Sequence, residues 1–240
     1  MGGCTSDIVK QLQKAILPWQ GFKSLSINAN TSSRLPSFLH QALATSCMHE
    51  ILSASPEDIA ATNGFVTALL SRIMPPGAVY AWISSSRTLF PPALKMFQLE
   101  PDQFIFIDLK HEKDVLPAME DALKCERFAT VLGELRDISF SQSRRFQLAT
   151  EQSKVTGFIL RHQPRLLNTL ACVSRWRITS LPSSTDQEIP GVGFPRWHIQ
   201  LLKLRNGKPG AWKLEWSANH FKEIRENVFL LPEEQRRKTG

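Results

Sequence analysis

Short apolar runs recur along residues 49–160, and their spacing constrains the fold more than any other feature. The runs are His49–Leu52, Val79–Ile83, Phe104–Ile107, Ala129–Leu132 and Val155–Leu160. They are apolar on both faces, so each asks to be buried from above and below. Between them, Ile59–Ile73, Glu112–Cys125 and Ser141–Ser153 carry apolar residues at helical spacing. Phe65, Leu69, Leu70 and Ile73 fall on one stripe, as do Val115, Leu116, Met119 and Leu123. Strands buried on both faces and joined by amphipathic helices indicate an α/β fold, a parallel central sheet with helices on both faces.

The rhythm changes after residue 170. Ala171–Thr179, Trp197–Leu204 and Trp212–Trp216 alternate, and the last two are joined by the turn-forming Arg205-Asn206-Gly207-Lys208-Pro209-Gly210. The core is therefore expected to be extended by C-terminal antiparallel strands. Residues 180–196, rich in Pro, Ser, Gly and acidic side chains, are expected to form a loop. Ahead of the core, Leu35-Pro36 opens a helical stretch to Ser46. Residues 7–17 fit a short amphipathic helix ended by Pro18. Three segments follow: a leader over 1–33, the α/β domain over 34–216 and a tail over 217–240. In the tail, Phe221, Ile224, Val228 and Leu231 are spaced for a helix. Such a helix either docks in a partner's groove or packs on its own domain.

Composition excludes several classes. The 240 residues are 42% hydrophobic and 21% charged, enough for a sizeable core and unlike disordered, collagenous or coiled-coil chains. Cys4, Cys47, Cys125 and Cys172 are far apart, which argues against a disulfide scaffold or structural zinc and for a reducing, cytoplasmic setting. No apolar run is long enough for a membrane span, and Asp7, Lys10 and Lys14 break up any signal peptide. Met1-Gly2-Gly3-Cys4-Thr5-Ser6 meets a loose myristoylation pattern that chance often produces.

The strand ends are where an α/β sheet binds ligands. A phosphate-binding turn needs glycines, a lysine and Ser/Thr. The first strand–helix turn, Ser53-Ala54-Ser55-Pro56-Glu57-Asp58, has neither glycine nor lysine and carries two carboxylates suited to a helix start. The other ends offer Ser84-Ser85-Ser86-Arg87, Asp108, Glu134 and Arg161-His162. Glu134 stands where a magnesium-associated acid could lie. There is no Gly-x-Ser-x-Gly elbow, and the six histidines lack metal-ligand spacing. No catalytic residue, cofactor or metal is expected.

The formal charge of +7 is uneven. Residues 49–135 hold seven basic and twelve acidic side chains, whereas residues 161–216 hold nine basic and three acidic. The basic block comprises Arg161, Arg165, Arg175, Arg177, Arg196, Lys203, Arg205, Lys208 and Lys213, interleaved with Trp176, Trp197, Trp212 and Trp216. Basic residues with aromatics can track a single nucleic-acid strand. On a strand, however, Arg175 and Arg177 share one face and Trp176 takes the other, so core tryptophans behind a basic face fit better. That face is a candidate surface for DNA or an acidic partner.

The order of several motifs resembles the ImuA family, RecA-like accessory proteins of damage-induced, error-prone DNA synthesis in bacteria. They are His49-Glu50-Ile51-Leu52, Val131-Leu132-Gly133-Glu134-Leu135, Ser143-Arg144-Arg145-Phe146-Gln147-Leu148-Ala149, Val155-Thr156-Gly157-Phe158-Ile159-Leu160-Arg161, Arg175-Trp176-Arg177 and Pro195-Arg196-Trp197 through Trp216. The resemblance covers roughly residues 34–216. It implies a RecA-like fold and a place in SOS mutagenesis and translesion synthesis. The implied partners are an ImuB-type Y-family polymerase homologue, RecA and single-stranded DNA. RecA's phosphate loop is missing at 53–58, its catalytic glutamate is missing from 84–87, and its first DNA-binding loop is deleted after Glu134. The second would fall at Arg161–Leu170. These departures point to a non-catalytic adaptor. The rival expectations are an ATPase completed in trans by a partner and a cell-division inhibitor of the SulA type.

Overall fold

The computed structural model describes residues 35–184 and 193–224. In chain order the elements are α1 (Ser37–Ala42), β1 (Met48–Ser53), α2 (Pro56–Ile73), β2 (Tyr80–Ser84), β3 (Phe104–Asp108), α3 (Val115–Lys124), β4 (Thr130–Leu135), α4 (Phe140–Ser153), β5 (Thr156–His162), β6 (Ser174–Ser184), β7 (Phe194–Leu204), β8 (Gly210–Ser217) and β9 (His220–Glu223). Short 3-10 turns at Pro91–Phe97, Pro101–Gln103 and Glu112–Asp114 fill the β2–β3 and β3–α3 connections.

One nine-stranded sheet runs through the molecule in the order β3-β2-β4-β5-β1-β6-β7-β8-β9. Strands β1–β6 pair in parallel, and β7, β8 and β9 continue antiparallel. This is a RecA-like α/β fold with an antiparallel extension. Among the described residues no helix is long and apolar enough to cross a membrane.

The helices start where the sequence supplies caps. Ser55 accepts from the Asp58 amide while the Asp58 carboxylate accepts from the Ser55 amide, and Pro56 occupies the first turn. Ser139 and Gln142 build the same box ahead of α4. Helix α2 therefore begins at Pro56, three residues before the apolar stripe announces it.

Two apolar layers sandwich the sheet. On the α2 side lie Ile51, Phe65, Leu132, Phe158, Trp176 and Trp197. On the α3 and α4 side lie Met48, Ile83, Met119, Val131, Phe146 and Ile159. Gly133 and Gly157 are seats for Met119 and Met48, whose sulfurs occupy the space a Cβ would need.

Three expectations need correction. Strand β6 runs on to Ser184 and β7 starts at Phe194, so much of the expected 180–196 loop is paired strand. The Ser180 amide is held by Asp58 Oδ1 at 2.9 Å, and Leu181 pairs with Arg196, contacts that override the local Ser and Pro preference. The first helix is shorter than Leu35–Ser46. Phe221–Glu223 form strand, not the start of a helix. Ala218 and Asn219 both have positive φ and make the two-residue turn that folds β9 back on β8. The leader helix over 7–17 and tail residues Val228 and Leu231 lie outside the described residues.

Candidate functional site

Two groups of side chains concentrate the chemistry: a polar cluster at the C-terminal strand ends and the basic block around β6.

At the strand ends, the β1–α2 turn is closed on itself. Ser55 Oγ takes the Asp58 amide, Asp58 Oδ2 takes the Ser55 amide, and Asp58 Oδ1 takes the Ser180 amide. Pro56 has no amide to offer. Two of the turn's amides, those of Ser55 and Asp58, are thus committed, and the Glu57 and Asp58 carboxylates belong to the same turn.

Behind this turn Glu134 is buried at the end of β4. Its Oε1 accepts from Trp82 Nε1 at 2.7 Å and from Thr88 Oγ1 at 2.9 Å, and Ser86 approaches Oε2 at 3.4 Å. Burial pushes its carboxyl above the ordinary range, against the pull of the Trp82, Thr88 and Ser86 donors. His162, at the end of β5, faces it with Nε2 3.8 Å from Oε2. That gap is too long for a hydrogen bond, and His162 Nε2 is a buried atom without a partner. Burial lowers the His162 pKa to about 4, so the ring is neutral.

His162 Nδ1 lies 3.1 Å from Ser53 Oγ, which itself donates to Thr62 at 2.9 Å. Ser53, His162 and Glu134 thus have the residue types of a hydrolase relay without its geometry. Ser53 is fully buried and its hydrogen is committed to Thr62, so it cannot attack a substrate.

The basic block divides. Arg161 is completely buried and Arg175 nearly so, and both turn to Glu50. Arg161 Nη1 meets Glu50 Oε1 at 2.9 Å, and Arg175 Nε meets Oε2 at 2.5 Å. Arg161 also donates to the Arg136 and Leu166 carbonyls, and Arg175 to that of Asn168. An exposed role for these two is therefore corrected. They anchor the 163–170 loop from inside. Glu50, a lone carboxylate in an apolar strand, was the sequence signal that a buried cation must answer it.

The loop they anchor carries Arg165, Leu166 and Leu167 outward, with Leu166 74% exposed. Sequence reasoning passed over both leucines. Arg196 pairs with Glu215 at 2.6 Å, and Lys203 Nζ donates to the Leu170 carbonyl at 3.2 Å. Arg205 is half-buried, with its amide on Val173, and Lys208 is exposed in the β7–β8 turn.

Across the extension the alternation is clean. Trp176 and Trp197 are buried on the α2 side with Trp216, while Arg177, His198 and Lys213 take the opposite face, half-buried. Trp212 stacks on Phe38 at a centroid distance of 3.7 Å. Burial of each tryptophan contributes on the order of 3 kcal/mol, which explains their number without base stacking. Phe221 joins this layer, against Trp216 at 5.1 Å and Phe65 at 5.7 Å, so it packs on its own domain. Ile224 is half-buried, with its amide on the Lys213 carbonyl.

No family model matches the chain. Curated relatives do. The chain is 32% identical over 179 residues to Protein ImuA of Caulobacter vibrioides strain NA1000 / CB15N, covering 70% of this chain and 73% of that protein. Protein ImuA of strain ATCC 19089 / CIP 103742 / CB 15 matches equally. Identity at that level over nearly three quarters of the relative, together with the RecA-like sheet, leads to one assignment: the chain belongs to the ImuA family.

Proposed function

We propose that this chain is a non-catalytic, RecA-like adaptor in SOS-induced, error-prone translesion DNA synthesis. In this reading it links an ImuB-type polymerase homologue, RecA and single-stranded DNA. Family membership supports the broader part, a role in error-prone DNA repair and mutagenesis. The observation that carries the non-catalytic part is the β1–α2 turn. The Ser55 and Asp58 amides and the Asp58 carboxylate are satisfied internally, and the two acids oppose a phosphate. Binding surfaces then do the work: the Arg165–Leu167 loop and the Arg177, His198 and Lys213 face.

Titration of labelled ATP with magnesium, against the pure chain and against its mixture with RecA, tests this. The expected result is no saturable binding to the pure chain and, in the mixture, no more sites than RecA alone shows. Magnesium-dependent sites in excess of RecA's own would favour an ATPase completed in trans. Affinity capture from DNA-damaged cells is expected to bring down the polymerase homologue; its absence alongside recovery of the division tubulin homologue would overturn the adaptor reading.

A further inference from the structure

Four of the nine large apolar side chains exposed among the described residues lie in α4 and the loop after β5. They are Phe140, Leu148, Leu166 and Leu167, each at least 44% exposed. The fold brings the two segments side by side. Asn168 Nδ2 donates to the Ile138 carbonyl at 2.7 Å, and the Ala171 amide donates to Ser143 Oγ at 3.0 Å. On the opposite flank of α4, Arg145 reaches Glu120 of α3. The solvent-facing row Phe140, Arg144 and Leu148, at i, i+4 and i+8, therefore borders the loop and not α3.

That row is about 12 Å long. It is a ridge of the kind a second helix packs against, and apolar anchors at i, i+3, i+4 and i+7 of a partner helix span a similar length. Leu166 and Leu167 wall one side. The loop is already held in place: Arg161 donates to the Leu166 carbonyl at 2.8 Å, Arg175 to that of Asn168, and the Arg165 amide to Asp137 Oδ1 at 3.1 Å. Apolar side chains on a fixed backbone are covered at small entropic cost.

Charge selects the occupant. Arg165 is largely exposed, and the acid beside it, Asp137, is shared with the buried Arg161. Arg144 is exposed too and donates to the Gln147 side-chain oxygen, an uncharged partner. The surface is thus apolar along its middle and cationic at its edges, and its complement carries carboxylates. A second copy presenting the same surface would set these arginines against themselves. A nucleic-acid strand would stack on aromatics, whereas three of the four apolar side chains here are aliphatic.

We infer that the α4 ridge and the 163–170 loop together form a docking surface for an amphipathic, acidic helix of a partner protein. The apolar face of that helix covers Phe140, Leu148, Leu166 and Leu167, and its carboxylates meet Arg144 and Arg165. The inference rests on the adaptor reading, which assigns binding to the Arg165–Leu167 loop, and adds the helix face that completes the surface and the chemistry of its occupant.

Fluorescence anisotropy with the full chain and a labelled helical peptide of about 18 residues tests it, the peptide carrying leucines at i, i+3, i+4 and i+7, glutamates flanking them and alanine elsewhere. Saturable binding on the order of 100 μM is expected. A twin with lysines in place of the glutamates should bind about tenfold more weakly. Leu166→Ser with Leu167→Ser, at exposed positions that leave the core intact, should weaken binding of the glutamate peptide about tenfold. Arg144→Glu with Arg165→Glu should reverse the preference, so that the lysine twin binds more tightly. No saturation by the glutamate peptide, equal binding of the twins to the unaltered chain, unchanged binding to the leucine variant, or an unchanged preference in the arginine variant overturns the proposal. So does self-association of the chain through the same leucines. Tighter binding of an oligothymidine of about 20 nucleotides or of phosphatidylserine vesicles, lost in the leucine variant, overturns it as well, by making the surface a strand or membrane contact. Every readout uses the purified chain and synthetic probes, without ATP or captured partners, so the adaptor reading is judged separately.

Discussion

Replacing Arg161 with methionine exposes how much of the fold hangs on one buried charge. The guanidinium is fully buried and reaches Glu50, Asn168, the Arg136 and Leu166 carbonyls, and Asp137 at 3.5 Å. Removing one partner of a buried ion pair costs about 3–5 kcal/mol, because the other charge stays behind without its counter-ion. Here Glu50 retains Arg175 at 2.5 Å, which puts the expected loss near the lower end, about 3 kcal/mol. That is a large share of the 5–15 kcal/mol typical of a whole protein. Urea unfolding followed by circular dichroism should show it as a clear fall in midpoint, and Tm should drop by roughly 6–12 °C. Arg165→Ala, at a side chain 73% exposed, should cost less than about 0.5 kcal/mol. In the double variant Glu50→Gln with Arg161→Met, the two losses should overlap by at least about 1 kcal/mol. A loss below about 1 kcal/mol for Arg161→Met, or strict additivity in the double variant, would refute the claim that Arg161 is an internal anchor.

Two further outcomes follow from the same packing. A Cβ on Gly157 would overlap Met48 Sδ and approach Leu123 Cδ2 to 3.0 Å, so Gly157→Ala should destabilise by about 1–3 kcal/mol in urea unfolding. An unchanged midpoint would mean that the methionine simply moves aside. His49 and His162 are both lowered to about 4 by burial. The unfolded chain takes up protons near pH 6.5 while the folded one cannot, so their stabilisation is complete above 6.5 and lost as pH falls toward 4. Glu134, whose pKa is raised, works in the opposite direction and offsets part of that loss. Tm measured from pH 7.5 to 4.5 should therefore fall, and fall less in His162→Gln; a flat or rising curve counts against buried neutral histidines.

Much of the core could be read from the chain because burial on both faces leaves an unbroken apolar signature, as in Val155–Leu160, and helix stripes such as Phe65, Leu69 and Leu70 are equally direct. What escaped was decided by distant partners. Ser180–Ser184 looks like loop by composition and becomes strand because β7 and Asp58 supply its hydrogen bonds. Phe221 and Ile224 fit a helical period over four residues, yet Ala218-Asn219 is a hairpin turn, and β8 offered an open edge. The basic block was visible as charge but not as geometry. Nothing local distinguishes Arg161, wholly buried, from Arg165, which faces solvent four residues later.

The position of Glu50 makes sense of that last distinction. It lies on β1, between β5 and β6, so one carboxylate reaches Arg161 on one neighbour and Arg175 on the other. Both arginines then pass hydrogen bonds on to the 163–170 loop, through the Leu166 and Asn168 carbonyls. The buried charges thus set the conformation of a loop whose own residues, Arg165, Leu166 and Leu167, are exposed. An exposed pair of leucines is costly to leave in water unless something covers it, and a loop held from within loses little entropy when covered. In this fold, basic residues take two kinds of place: Arg165 faces outward, and Arg161 and Arg175 fix the backbone that presents it.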